Sequence, residues 1–189
     1  MYQSYRSDTS ARGLGRADAA RRAKIVPARS ERPERQAHMF HLALWEPEIP
    51  PNTGNVARLC AATGTVLHLV GRIGFRIDDR SLKRAGLDYW DAVEVRFHPT
   101  FADLETAVGP DHIVCIETPA PRYYTRAEFR LGDCLVFGSE SKGLPPEVRE
   151  RYAARTFGIP MPTGTVRSLN LATAAGVVLY EALRQRHDW

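Results

Sequence analysis

Short apolar runs alternate with helix-patterned stretches from Met39 onward, and this alternation constrains the fold more than any other feature of the chain. The runs are Phe40–Trp45, Val66–Val70, Val93–Phe97, His112–Ile116, Cys134–Phe137 and Thr156–Ile159. Each has the length of a buried strand. Between them lie stretches with helical spacing. The first has Asn52 as candidate N-cap, Val56, Leu59, Cys60 and Thr63 on one face, and Gly64 as its stop. Asp78–Ala85 reads as a short helix, Phe101–Val108 as a helix capped by Thr100, and Pro146–Tyr152 as one opened by prolines. The last runs from about Leu169 to Arg186, with Ser168 as candidate N-cap. Strands alternating with helices predict an α/β domain with a mostly parallel sheet flanked by helices.

Charge divides the chain. Residues 1–38 hold nine Arg/Lys against four Asp/Glu, a net of +5. The rest holds 17 against 18 of the full 26 and 22, a net of −1. The sequence pI of about 9.1 therefore belongs to the tail, and any nucleic-acid affinity of the core needs a local patch. Polar, Arg- and Ala-rich and interrupted by Pro27 and Pro33, residues 1–38 read as a disordered basic tail, with residues 39–189 as the folded domain. Met39, directly before the first strand, is a candidate translational start that intact mass would decide. No apolar stretch reaches membrane-spanning length, and the N-terminus lacks a secretory apolar segment. Cys60, Cys115 and Cys134 lie in apolar sequence without C-x-x-C spacing, which predicts buried free thiols in a reducing, cytoplasmic setting.

Several chemistries find no carrier. No G-x-G-x-x-G follows the first strand, Lys142 lacks the Walker A order, and no G-x-S-x-G elbow is present. The six His are scattered without zinc-like spacing, so no metal is expected. Polar, glycine-rich loops remain, suited to a reaction whose electrophile arrives in a cofactor. Asn52-Thr-Gly-Asn55-Val-Ala-Arg58 follows the first strand, where open α/β sheets place ligands. It either caps and relieves a helix start or grips a phosphate or ribose there. Phe137-Gly-Ser-Glu-Ser-Lys-Gly-Leu144 is either a turn or a loop whose Gly138 lets the backbone approach a ligand, with Glu140 as a nearby polar contact. Ile159-Pro-Met161 is followed by Ser168-Leu169-Asn170 at the start of the last helix.

N-x-G-N-x-x-R, F-G-x-E-x-x-G-L and I-P-M with S-L-N, in this order over residues 39–187, resemble the three motifs of the SPOUT family of S-adenosylmethionine-dependent RNA methyltransferases. The segment Leu82-Lys-Arg-Ala-Gly-Leu-Asp-Tyr-Trp90 resembles one branch, the tRNA wobble-ribose methyltransferases. The resemblance implies a C-terminal deep trefoil knot, which chain-topology rules alone would not predict. It implies S-adenosylmethionine as cofactor, contacted by Ile116, Gly138, Glu140, Ile159, Met161, Ser168 and Leu169. It makes Arg58 the principal catalytic residue, assisted by Asn55, Ser168 and Asn170, and assigns RNA contacts to Lys83, Arg84 and Tyr89. The implied protein is a homodimeric enzyme that methylates the ribose 2′-OH of cytidine or uridine 34 in tRNA, notably leucine tRNAs, by reading the anticodon stem-loop. Another 2′-O site in tRNA or ribosomal RNA, and a non-enzymatic RNA-binding or cofactor-sensing module, are the alternatives.

Overall fold

The computed structural model describes residues 39–75 and 92–187. The expected tail over residues 1–38, the Asp78–Ala85 helix and the candidate RNA contacts Lys83, Arg84 and Tyr89 lie outside the described residues. Six strands form one sheet: β1 His41–Trp45, β2 Val66–Val70, β3 Val95–His98, β4 Ile113–Ile116, β5 Cys134–Phe137 and β6 Thr156–Phe157. Their order is β3-β2-β1-β5-β4-β6, and every pairing among them is parallel. Both faces are covered, as parallel sheets require. Leu42 and Leu44 face one side with Leu135 and Phe137, while Ala43 faces the other with Cys134 and Val136. Helices α1 (Pro50–Thr63) and α4 (Leu171–Arg184) close the first side through Val56, Cys60, Ala175, Val178 and Leu179. Helices α2 (Phe101–Val108) and α3 (Pro146–Arg151) close the second through Leu104 and Val148.

The capping signals read from sequence meet different fates. Thr100 caps α2 as expected, in a reciprocal box with Asp103: the Asp103 N–H donates to Thr100 Oγ1 at 3.2 Å and the Thr100 N–H to Asp103 Oδ2 at 3.0 Å. Asn52 is not an N-cap. Helix α1 starts at Pro50, because prolines fit the first turn, and Asn52 sits inside it with 5% exposure. Ser168 does not cap α4 either. Asn170 does, its Oδ1 accepting from the Ala172 and Thr173 N–H groups at 3.0 and 3.3 Å, so the helix begins two residues later than expected.

The β4–β5 connection and the chain beyond β6 are laced together. The Glu117 N–H donates to Phe157 O, the Gly158 N–H to Arg122 O, and the Tyr124 N–H to Gly158 O. Further along, the Phe129 N–H donates to Gln185 Oε1 and Gln185 Nε2 to Ala127 O, tying the same connection to the end of α4. All three cysteines are buried and unpaired, and burial pushes the Cys60 and Cys115 thiols up to about 12. Among the described residues, no helix is long and apolar enough to cross a membrane.

Candidate functional site

Chain order reverses between β1 and β5, the topological switch point where open α/β sheets bind ligands beyond the carboxyl ends of the strands. A cleft of about 450 Å³ opens there. Most of its walls are strand ends and the chain just after them: Ile49 and Asn52 past β1, Ile116 at the end of β4, Gly138 and Glu140 past β5, and Ile159 past β6. The chain entering α4 adds Ser168, Leu169 and Asn170. Seven of the residues singled out from sequence thus meet in one cleft. Met161 is half-buried two residues past Ile159 and does not line it. Asn55 and Arg58 are exposed on α1, three and six residues past Asn52, and do not line it either.

Hydrogen bonds between distant segments hold the cleft in shape. Glu140 accepts from the Glu48 and Ile49 N–H groups at 2.9 and 3.3 Å and from Asn52 Nδ2 at 2.9 Å. In return, Glu48 accepts from the Ser141 N–H at 3.1 Å and from Ser141 Oγ at 2.6 Å. Asn52 Oδ1 then accepts from Asn170 Nδ2 at 2.8 Å, which extends the chain to the cap of α4. All three sequence motifs are therefore joined by side chains. This explains why Asn52 is not spent on its own helix: its amide is the link between the other two motifs.

The loop after β5 is folded tightly on itself. The Ser139 N–H donates to Gly143 O and the Gly143 N–H to Ser139 O, at 3.2 and 2.9 Å. A Cβ on Gly138 would lie 2.1 Å from the Gly143 carbonyl carbon, so no other residue fits there whatever the ligand. Gly143 has φ +70°, and a Cβ on it would come within 2.5 Å of Glu117 Oε1. Glu117 Oε2 accepts from the Leu144 N–H at 2.9 Å and locks the far end of the loop. Glu48 and Glu117 shape the cleft through these bonds, and the motifs did not single them out. Glu48 lies just before the first motif, whereas Glu117 carries no local signal.

The volume suits a cofactor-sized ligand, given typical small-molecule sites of roughly 300–1,000 Å³. Apolar Ile116, Ile159 and Leu169 alternate around it with Ser168 and Asn170, a lining suited to a nucleoside with a polar arm. Among the described residues, no group of three or more His, Cys, Asp or Glu is arranged to hold a metal ion.

Comparison with known proteins agrees with this geometry. The family model described as "SpoU rRNA Methylase family" matches residues 39–180. A tRNA (cytidine(34)-2′-O)-methyltransferase of Acidovorax sp. (strain JS42) is 48% identical over 150 residues, covering 78% of this chain and 92% of its own. A solved structure from work on the 2-OH methylation of C/U34 on tRNA is 50% identical with TM-score 0.72, covering 79% of this chain and 97% of that one. An AdoMet-bound rRNA methyltransferase from Sinorhizobium meliloti is 26% identical with TM-score 0.70, covering 81% and 59%. The chain belongs to the SpoU rRNA methylase family and carries its knotted α/β fold.

Proposed function

We propose that this protein transfers a methyl group from S-adenosylmethionine to the ribose 2′-OH of nucleotide 34 in tRNA, a cytidine or uridine, notably in leucine tRNAs, and that it acts as a cytoplasmic homodimer. The observation that carries the reading is the convergence of three motif-bearing loops on one cleft at the switch point of the sheet. Relatives covered over 97% and 92% of their own length bear this activity in their names. Three unpaired buried thiols suit a reducing compartment.

The cofactor supplies an electrophilic methyl on its sulfonium, so the protein's task is alignment. Aligning reactants can supply about 7–11 kcal/mol in well-oriented systems. Gly138, Ile116, Ile159 and Leu169 would hold the adenosine end, with Ser168 beside it and Met161 just outside the cleft, while Glu140 fixes the loop that holds Gly138 in place. Asn170 holds the start of α4 and, through Asn52, the floor of the cleft. Arg58 and Asn55 stand exposed on α1 outside the cleft, where a bound RNA can reach them. A guanidinium stays protonated at any working pH, so Arg58 orients the ribose hydroxyl or its neighbouring phosphate, and a phosphate oxygen or water takes the proton. Lys83, Arg84 and Tyr89 add RNA contacts.

Methyl transfer from labelled S-adenosylmethionine to unfractionated tRNA, followed by nuclease digestion and mass spectrometry, tests the reading. A 2′-O-methyl at position 34 supports it. A 2′-O-methyl elsewhere keeps the chemistry and moves the substrate. Cofactor binding without transfer to any RNA favours a non-enzymatic binding module. An Arg58→Lys variant with full activity would overturn the bidentate orienting role.

A further inference from the structure

Lys142, Arg149 and Arg167 come from three separate segments and line the same cleft. All three are exposed. Among the described residues, none of their side chains is ion-paired or hydrogen-bonded, whereas Arg96, Arg151, Arg155 and Arg184 are each held by a carboxylate. The two acids in the cleft wall form no ion pair with them and offset only part of their charge, leaving three cations against two carboxylates in the lining. Glu117 and Glu140 turn inward and accept backbone N–H groups. The rim of the cleft is therefore cationic on a core whose net charge is −1, so the patch is local and owes nothing to overall basicity. Arg149 lies on α3, outside every motif, and no sequence pattern singles it out.

We propose that Arg149, with Lys142 and Arg167 beside it, grips the phosphodiester backbone of the substrate RNA at the mouth of the cofactor cleft. The proposal rests on the functional reading above, since it takes the substrate to be an RNA. Three cations exceed what the single carboxylate of S-adenosylmethionine needs, and the sulfonium itself is positive. A polyanion passing the cleft mouth uses all three, and the grip would register the target ribose against the methyl donor. Arg149 is here a positioning residue: it holds the strand, and it does not touch the reacting atoms.

The test is tRNA binding by the full-length protein over a series of KCl concentrations, alongside calorimetric titration with S-adenosylmethionine and a thermal melt. Arg149→Gln is expected to weaken tRNA binding and to lower the slope of log K against log[KCl] by about 0.7–0.9, the share of one phosphate contact. Arg149→Lys keeps the slope. The triple Gln variant of Lys142, Arg149 and Arg167 loses about three such shares. Cofactor affinity and melting temperature stay at wild-type values for Arg149→Gln, and the apparent KM for tRNA rises while kcat at saturating tRNA holds. Wild-type methylation with an unchanged slope in Arg149→Gln overturns this proposal alone. So does a loss of cofactor affinity with unchanged RNA binding, which would assign Arg149 to the cofactor carboxylate. A wild-type protein that binds no RNA overturns the functional reading and this proposal together.

Discussion

Replacing Glu140 by Gln isolates what its carboxylate does. The side chain accepts three hydrogen bonds, from the Glu48 N–H, the Ile49 N–H and Asn52 Nδ2, and both oxygens are engaged. A glutamine keeps the shape but has one acceptor oxygen, so its NH2 must face either the Glu48 N–H or the Ile49 N–H and Asn52 amide. Hydrogen bonds to a charged group contribute about 1.5–3 kcal/mol when well buried. These are partly open to solvent, and that screening lowers the figure. We set the loss for Glu140→Gln at about 2 kcal/mol, which for a chain of this size lowers the melting temperature by about 4–8 °C. The same bonds hold the Gly138 loop over the cleft, so S-adenosylmethionine affinity falls by up to about thirtyfold, the equivalent of that energy. Thermal unfolding with and without cofactor, together with calorimetric titration, measures both. A carboxylate used only as a proton acceptor would leave stability and binding intact and remove only turnover. Wild-type melting and affinity in Glu140→Gln would therefore refute the clasp.

Gly138→Ala puts a methyl 2.1 Å from the Gly143 carbonyl carbon, and it is expected to abolish measurable cofactor binding while the sheet core still gives a cooperative melt. Asn170→Asp keeps the capping oxygen and loses the donor to Asn52 Oδ1, so it should be more stable than Asn170→Ala by about 1 kcal/mol in chemical denaturation, yet bind cofactor no better. Thr53 Oγ1 is buried with no hydrogen-bond partner among the described residues, and Thr53→Val should leave stability unchanged or raise it by up to about 1 kcal/mol in chemical denaturation. Burial holds the His98 imidazole below its usual 6.5, opposed by Asp103 and helped by Arg96. The unfolded chain therefore takes up that proton at higher pH than the folded one. Stability is full above pH 6.5 and declines as pH falls below it, a trend that denaturation midpoints at pH 7.5 and 5.5 should show and that His98→Gln should weaken.

The sheet was legible because its signals are local. Runs such as Val66–Val70 and Cys134–Phe137 are buried on both faces, and uninterrupted apolar sequence is what a doubly covered parallel strand leaves behind. The Thr100 cap was legible for the same reason, since the capping box that holds it closes within four residues. The strand order was not legible. It depends on which runs meet across the sheet, and β1 lies between β2 and β5, one next in sequence and the other nearly a hundred residues away. The lacing of the β4–β5 connection with the chain past β6 is equally non-local, and only the family resemblance foretold the knot. Six of the site residues came from motifs at a strand end or at the start of α4, and Ile116 from the family resemblance, whereas Glu117 and Arg149 reach the cleft from segments whose own sequence says nothing of it.

The two misplaced caps share one cause. Asn52 and Ser168 each stand where a short polar side chain at the edge of a helical pattern ordinarily caps, and a local rule must choose them. That rule takes the side chain's best partner to be its own backbone. Here the Glu140 carboxylate offers Asn52 a charge-assisted partner 88 residues away, and Asn170 offers a second 118 residues away. Pro50 and Pro51 leave the helix start without need of a cap, since prolines tolerate its first turn. Asn52 is thus released for the site. At the other helix, Asn170 satisfies the first-turn N–H groups with its oxygen and Asn52 with its nitrogen, because an amide has both faces where a hydroxyl offers one atom. The cap therefore moves from Ser168 to the residue able to serve helix and cleft together, and Ser168 is left exposed at the cleft wall. An Asn52→Ala, Asn170→Ala double-mutant cycle measures this sharing. A coupling near zero in stability and in cofactor affinity would mean that the two amides act separately and that the helix start alone fixes Asn170.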